Sequence, residues 1–321
     1  MLKGLTDIEG ILVGHVTDLE GMTGCTVVLC GKGAVGGVDI RGSATGSAEL
    51  AVLDPAHITT QIHAIALCGG SAFGLEAASG VRLFLEKKGI GFPTGPTQVV
   101  PIVPAAVLYD LSLGKPGIRP TREMGEAAAA AASAAPISEG AVGAGTGATV
   151  GKIFGMRQAM KSGIGSATVW LDGPYAGIRV AALAAVNAVG DVRDPETGRL
   201  IAGTRVDPQS LDLADSALQL RRGARAGFRG RNTTLVVVAT NASLNKVETN
   251  KLAQFGSLGV ARAISPVWTM SDGDITFALS CGVEQAGLDA LGAAAAEAVA
   301  QAIVRAVKMA PSIAGLPGLA G

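Results

Sequence analysis

The 321-residue chain has only three histidines, His15, His57 and His63. A histidine-based catalytic triad or a His-rich metal cluster has little to draw on. The four cysteines, Cys25, Cys30, Cys68 and Cys281, form no Cys-x-x-Cys pair. A zinc site or a secreted disulfide framework is therefore unsupported, and all four read as small core residues. Net charge is absent, with 26 Lys and Arg against 26 Asp and Glu. Aromatics are sparse: seven Phe, two Tyr and two Trp, with no basic stripe between them. Nucleic acid and anionic membranes are excluded as general electrostatic partners. No basic region followed by an apolar run opens the chain, so no signal peptide is expected and the cytoplasm is the default compartment. The most apolar long stretch, residues 288–310, is broken by Glu297, Gln301, Arg305 and Lys308. It reads as an amphipathic surface helix rather than a membrane span.

Glycine is abundant at 46 residues, and 48% of the chain is hydrophobic. That is ample for a buried core and excludes global disorder. The first third predicts short β-branched strands at residues 10–16, 25–30, 37–40 and 62–67. Residues 71–87 carry apolar positions at helical spacing, with Ser71 as a candidate N-cap and Gly89 as a stop. An alanine-rich helix follows at 124–135, and a glycine loop runs into a strand within 142–155. Further strands are expected at 166–171, 177–189, 233–240 and 275–279, and helices at 247–263 and 288–310. Strands and helices come in blocks without strict alternation, which favours an α+β layered fold over a doubly wound parallel sheet.

Residues 191–232 stand apart. They hold 14 charged residues in 42, or 33%, against 16% for the whole chain. The stretch contains Asp194-Pro195, Gly198 and Asp207-Pro208 as turn signals and ends in Arg221, Arg222, Arg225, Arg229 and Arg231. Without aromatic partners it reads as a solvated, mobile segment rather than a nucleic-acid patch. It stops abruptly at Asn232-Thr233, where an apolar strand begins.

Three familiar motifs fail. A phosphate loop would need Ser or Thr after Gly151-Lys152, where Ile153 stands, and its first glycine position is Thr146. A GxGxxA dinucleotide pattern fits Gly143, Gly145 and Ala148 but lacks a clear preceding strand. A nucleophile elbow around Ser71 would need glycine where Phe73 stands.

Seven ordered segments together resemble the P1 family of self-processing peptidases. This family includes L-aminopeptidase/D-amidase/esterases, β-aminopeptidases and nylon-oligomer (6-aminohexanoate oligomer) hydrolases. The segments are Leu5-Thr6-Asp7-Ile8 with Val13-Gly14-His15; Leu67-Cys68-Gly69-Gly70-Ser71-Ala72-Phe73-Gly74; Val103-Pro104-Ala105-Ala106-Val107-Leu108-Tyr109-Asp110; residues 142–152; Val186-Asn187-Ala188-Val189-Gly190; Asn232-Thr233-Thr234-Leu235 with Val238-Ala239-Thr240-Asn241-Ala242; and Asp272-Gly273-Asp274. The resemblance implies a four-layer αββα sandwich over the single domain 1–321. It also implies self-cleavage between Asn232 and Thr233 into fragments 1–232 and 233–321, with 191–232 as the polar tail of the larger one.

On the same resemblance Thr233 is the nucleophile, and its new α-amine serves as general base. An α-amine has a pKa of about 7.7–8.0, so it can act near neutrality without histidine. Asp272 and Asp274 match the acidic pair beside the nucleophile; otherwise they form a solvated Asp-Gly-Asp turn. Lys152 matches the active-site lysine, although read alone it is an ordinary surface residue. Asn187 lies in an apolar run where an unpaired amide would cost about 1–3 kcal/mol, so it needs a defined partner. The resemblance assigns it to an oxyanion hole, and a structural hydrogen bond is the other reading. Tyr109 either lines the site or packs half-buried. Asn241 is the weaker candidate and fits an anchor at the strand end.

Threonine at the cut, preceded by asparagine, is closer to the nylon-oligomer hydrolase branch than to the serine-using aminopeptidases. The expected function is amide hydrolysis of a small amide or peptide, without metal or organic cofactor, in a tetramer of two-fragment units. The alternatives are acyl transfer of the ornithine acetyltransferase type, which shares the fold and the cleavage at threonine, and a binding protein that never matures.

Overall fold

Nine strands form one continuous hydrogen-bonded network. They are β1 (Leu12–Asp18), β2 (Thr23–Ile40), β3 (Gly46–Ala48), β4 (Ile62–Cys68), β5 (Ala105–Val107), β6 (Ile164–Trp170), β7 (Arg179–Asn187), β8 (Thr233–Ala242) and β9 (Ile275–Glu284). The helices are α1 (Ala77–Lys87), α2 (Arg122–Ala130), α3 (Ser216–Arg221), α4 (Lys246–Ala263) and α5 (Leu288–Lys308). This computed structural model describes residues 4–224 and 232–320.

The strand order is β6-β7-β8-β9-β2-β4-β5-β3, with β1 also on β2. The 18-residue β2 serves two sheets. Residues 25–29 pair with β4 and with β1, and residues 35–40 pair with β9. The two strands expected at 25–30 and 37–40 are therefore one, bent where its register with β4 shifts between Leu29 and Ala34.

Side-chain alternation fixes the layering, because successive strand residues point to opposite faces. On β7, Ala181, Leu183 and Ala185 enter a core between the two sheets, while Val180, Ala182, Ala184 and Val186 enter a core under α4 and α5. On β8, Leu235, Val237 and Ala239 face the inter-sheet core, and Val236 and Val238 face the helices. A third core joins Cys25, Val27, Ala64 and Ala66 to Ala77, Val81, Leu85 and Ala128 of α1 and α2. Three cores between four layers make the αββα sandwich. Each fully buried Leu, Val or Phe contributes about 1.5–3 kcal/mol relative to exposure.

The glycine and alanine content has a packing cause. A Cβ on Gly165 would lie 2.0 Å from the carbonyl oxygen of Ala302, so β6 touches the α5 backbone there. A Cβ on Gly37 would lie 2.5 Å from the backbone nitrogen of Asn250 on α4. Layers this close leave no room for larger residues.

Several expectations need correction. The helix expected at 71–87 begins as a 3-10 turn, Ser71–Glu76, and becomes α-helical at Ala77. Ser71 is not its cap: Gly70 holds that position at φ 75°, and Ser71 itself lies at φ 55°. The alanine-rich helix runs Arg122–Ala130, earlier than expected, because the Thr121 side chain accepts from the Met124 N–H and caps it. The apolar face of α5 is core: 72% of its most apolar window is buried, while Glu297, Gln301, Arg305 and Lys308 face outward. Cys25, Cys30 and Cys68 are buried and Cys281 is partly so.

Within the polar stretch, residues 191–193 and 200–202 form short paired strands and α3 follows. Asp191, Thr204 and Ser216 are buried and bonded together: the Asp191 carboxylate accepts from the Thr204 and Ser216 N–H groups and from the Ser216 hydroxyl at 2.6–2.8 Å. This part of the segment is thus fastened to the core. Arg225, Arg229 and Arg231 lie outside the described residues.

Candidate active site

β7 ends and β8 begins at the same edge, and antiparallel register pairs Asn187 directly with Thr233. β9 runs parallel to β8 with Leu235 opposite Ile275, and an isolated bridge extends that register to Asn232 opposite Asp272. Thr233 thus lies between Asn187 on one side and Gly273 on the other. Thr233 and Asn187 both fall on the inter-sheet face by the period of two. Asn187, Asn232, Thr233, Asp272, Asp274 and Lys152 are each 4% exposed or less, so their polar atoms depend on partners within the protein, and Asn232 Oδ1 has none among the described residues.

Short hydrogen bonds surround the Asn232-Thr233 peptide. The Thr233 hydroxyl donates to the Asn232 carbonyl oxygen at 2.6 Å, and the Gly273 N–H donates to the same oxygen at 2.7 Å. Asp274 Oδ1 accepts the Thr234 N–H at 2.6 Å. Asp272 ties two loops together: Oδ2 accepts from the Thr269 hydroxyl at 2.6 Å and its N–H at 3.0 Å, and Oδ1 accepts from the Val189 N–H at 3.3 Å. The Asp-Gly-Asp turn is therefore a buried scaffold, not a solvated one.

Lys152 is also buried. Its Nζ donates to the carbonyl oxygen of Asn187 at 2.9 Å and to Oδ1 of Asn187 at 2.7 Å. The Thr149 N–H reaches the same Oδ1 at 3.1 Å, and Asn187 Nδ2 donates to the Tyr109 carbonyl oxygen at 2.9 Å. Asn187 thus has the defined partners its apolar setting demands, and one of its two amide hydrogens is committed to Tyr109. Tyr109 enters the site through its backbone and lines a cavity of about 10 Å³ with Ser112, Leu113, Thr149, Lys152 and Asn232. That space holds no more than a water-sized group.

Burial dominates the electrostatics. It pulls the Lys152 ammonium down to about 7, against the opposing pull of Asp272 and Asp274. Burial, reinforced by the Asp272 charge, pushes Asp274 up to about 8. Asp272 is also raised by burial, although its hydrogen bonds and Lys152 oppose the shift. Burial thus brings a lysine down and a carboxyl up toward the same range. Among the described residues, no group of three or more His, Cys, Asp or Glu is placed to hold a metal ion.

Asn241 sits at the far end of β8, about 26 Å from Thr233 at roughly 3.3 Å per residue. Its side chain bonds the Arg179 N–H and the Gly177 carbonyl, so it anchors a strand end. Sequence reasoning passed over three participants. Thr269 holds Asp272, and Thr149 holds Asn187. Buried Lys161 binds the glycine loop through the carbonyls of Gly145 and Ala148 and also bonds the carbonyl of its neighbour Ser162. Only Lys161 carried a signal, a lone lysine between apolar residues and Gly-rich turns. Gly273 was visible as part of Asp-Gly-Asp, but nothing in the sequence distinguished it from a turn glycine.

The family model for "Peptidase family S58" matches residues 3–320. The chain belongs to peptidase family S58. As a member it is a hydrolase acting on amide bonds. It is 38% identical to an uncharacterized aminopeptidase of Mycobacterium leprae, over 100% of this chain and 94% of that protein. It is 31% identical to the 6-aminohexanoate-oligomer endohydrolase of Kocuria sp., over 94% of this chain and 85% of that protein. Its fold matches that of the L-aminopeptidase D-Ala-esterase/amidase of Ochrobactrum anthropi with a TM-score of 0.75 and 19% identity, covering 96% of this chain and 86% of that one. That structure is described as a variant of the Ntn-hydrolase fold, which agrees with the αββα layering.

Proposed function

We propose that this S58 member activates itself by cleaving Asn232-Thr233 and then hydrolyses small linear amides or peptides through an acyl-enzyme on Thr233. The observation that supports this most directly is the placement of the Thr233 hydroxyl, 2.6 Å from the oxygen of the preceding carbonyl in a buried, polar pocket. Attack of Oγ1 on that carbonyl carbon forms an ester and breaks the Asn232–Thr233 C–N bond. The hydroxyl proton passes to the departing Thr233 nitrogen. Water then opens the ester, giving an Asn232 carboxylate and a free Thr233 α-amine.

In the mature enzyme that amine, with an ordinary pKa of about 7.7–8.0, takes the hydroxyl proton during attack on substrate. Asp274 orients the first residues of β8 through Thr234, and Asp272 holds the loop beside them. Lys152 and Asn187 form the facing wall, with Asn187 as a donor to the developing oxyanion. Departure of Asn232, which lines the 10 Å³ cavity, makes room for the acyl group. The substrate class is an N-terminal or unbranched amide. Relatives named aminopeptidase support the first form, and 6-aminohexanoate oligomers, the substrate named for the Kocuria relative, are an instance of the second. The working unit is a pair of fragments that assembles further, and the setting is cytoplasmic.

N-terminal sequencing of the smaller fragment tests this. On denaturing gels the two pieces run near ~23 and ~9 kDa at about 100 Da per residue. A first residue other than Thr233 removes the proposal, as does a single uncut band with full amidase activity.

A further inference from the structure

Gly273 lies where β9 has not yet begun, yet it faces the bond between Asn232 and Thr233. Two independent observations meet there. First, its N–H donates to the Asn232 carbonyl oxygen at 2.7 Å, just before the first paired residues of the parallel β8–β9 ladder. Second, a Cβ built on Gly273 would lie 2.7 Å from Thr233 Oγ1 and 2.7 Å from the Ala44 carbonyl oxygen. Its φ is not in the left-handed region, so glycine is not required there by the backbone. It is required by the space.

We infer that Gly273 is a catalytic residue of self-cleavage: its N–H is the oxyanion donor for the Asn232 carbonyl, and its missing side chain is the seat of the Thr233 hydroxyl. The inference rests on the self-cleavage reading above and adds the groups that carry it. When Oγ1 bonds to the Asn232 carbon, the carbonyl electrons move onto an oxygen that already faces a fixed amide dipole. Such a donor is worth most where water is excluded and nothing must reorganise. Collapse of that intermediate expels the Thr233 nitrogen, which carries the former hydroxyl proton.

The turn that presents Gly273 is rigid for a visible reason. The Ala44 N–H donates to the Asp272 carbonyl, and the Arg41 and Gly42 N–H groups donate to the Asp274 carbonyl, at 3.0–3.1 Å. The β2–β3 connection therefore straps the residues on both sides of Gly273, while Thr269 and Val189 hold the Asp272 side chain. A donor clamped on both sides keeps its direction as the carbonyl becomes tetrahedral.

The test compares self-cleavage rates of full-length chains purified uncut. Gly273→Ala keeps the N–H but places a methyl against Oγ1, and by displacing the nucleophile it slows cleavage by about 10²-fold. In a Thr233→Ser background the nucleophile lacks the β-methyl that stiffens χ1. There Gly273→Ala costs a smaller factor, because the serine hydroxyl can reach the carbon from another rotamer. A merely structural glycine would slow both backgrounds equally, and that result, or cleavage of Gly273→Ala at the parental rate, overturns the inference. Should Gly273→Ala fail to fold, hydrogen exchange on the uncut Thr233→Val chain decides. A protected Gly273 amide supports the donor role, and exchange at the free-amide rate overturns it. A parent chain never cut at Asn232-Thr233 would instead remove the self-cleavage reading itself.

Discussion

Asn187 and Thr233 are direct partners across the β7–β8 pair, and both side chains lie on the inter-sheet face at the edge where the two strands begin and end. One residue closes a 9-residue strand and the other opens a 10-residue strand, so the sheet register itself sets their separation. Removing the hydroxyl should therefore isolate chemistry from architecture. Thr233→Ala, folded and melting close to the parent, is expected to stay a single chain and to lose amide hydrolysis. Retained hydrolysis in that variant would point to another nucleophile.

Lys152 is the only described cation bonded to Asn187, through both its carbonyl and its side-chain oxygen. Lys152→Met keeps much of the apolar stem and removes those donors. It also removes the positive charge that opposes the rise of Asp272 and Asp274. Amide-hydrolysis turnover is expected to fall by about 10²-fold or more, as for loss of an acid–base or electrostatic group. A Lys152→Met enzyme with parental kcat would assign the lysine to packing alone.

Asp274 should leave a signature in stability against pH. Its folded value, about 8, is raised by burial above the unfolded value, about 4. Between those limits the folded state binds the extra proton, so this group's stabilisation is complete below about pH 4 and is lost as pH rises through about 8. In an uncut Thr233→Val background, Asp274→Asn removes that loss. Denaturation at pH 5 and pH 9 is expected to show the Asn variant gaining relative to its parent at the higher pH. An equal difference at both values would place the carboxyl elsewhere on the pH scale.

The layered fold was legible because its signal is local. Continuous apolar runs along 179–187 and 233–242 mark strands buried on both faces, and Glu297, Gln301, Arg305 and Lys308 mark the outer side of α5. The charged stretch that ends against an apolar strand marks Asn232-Thr233 as a junction, but a threonine there also simply opens a strand well, and only the family resemblance singles it out as nucleophile. What stayed hidden depends on contacts distant in the chain. Asp272 reads as solvated until Val189, 83 residues away, is brought beside it. Ser71 reads as a helix cap because sequence cannot show that Gly70 takes the left-handed turn one residue earlier. The single strand Thr23–Ile40 reads as two because its middle, Gly31-Lys32-Gly33, carries turn chemistry while bridging two sheets.

The inter-sheet core carries the site, so damage to it should appear as lost stability before lost chemistry. Phe277 is fully buried there, two residues beyond Ile275 and three beyond Asp274 on the strand that presents the acidic turn. Truncation to alanine removes the ring from between the sheets and leaves a cavity that the paired strands β8 and β2 on either side cannot close. Phe277→Ala is expected to lose about 3–5 kcal/mol of unfolding free energy in urea. Because the backbone bonds of Asp272 and Asp274 to the β2–β3 connection do not involve the ring, folded molecules should retain amide hydrolysis at low temperature. A stability loss under about 1 kcal/mol would mean that Phe277 is not enclosed between two sheets, and the four-layer packing would have to be redrawn.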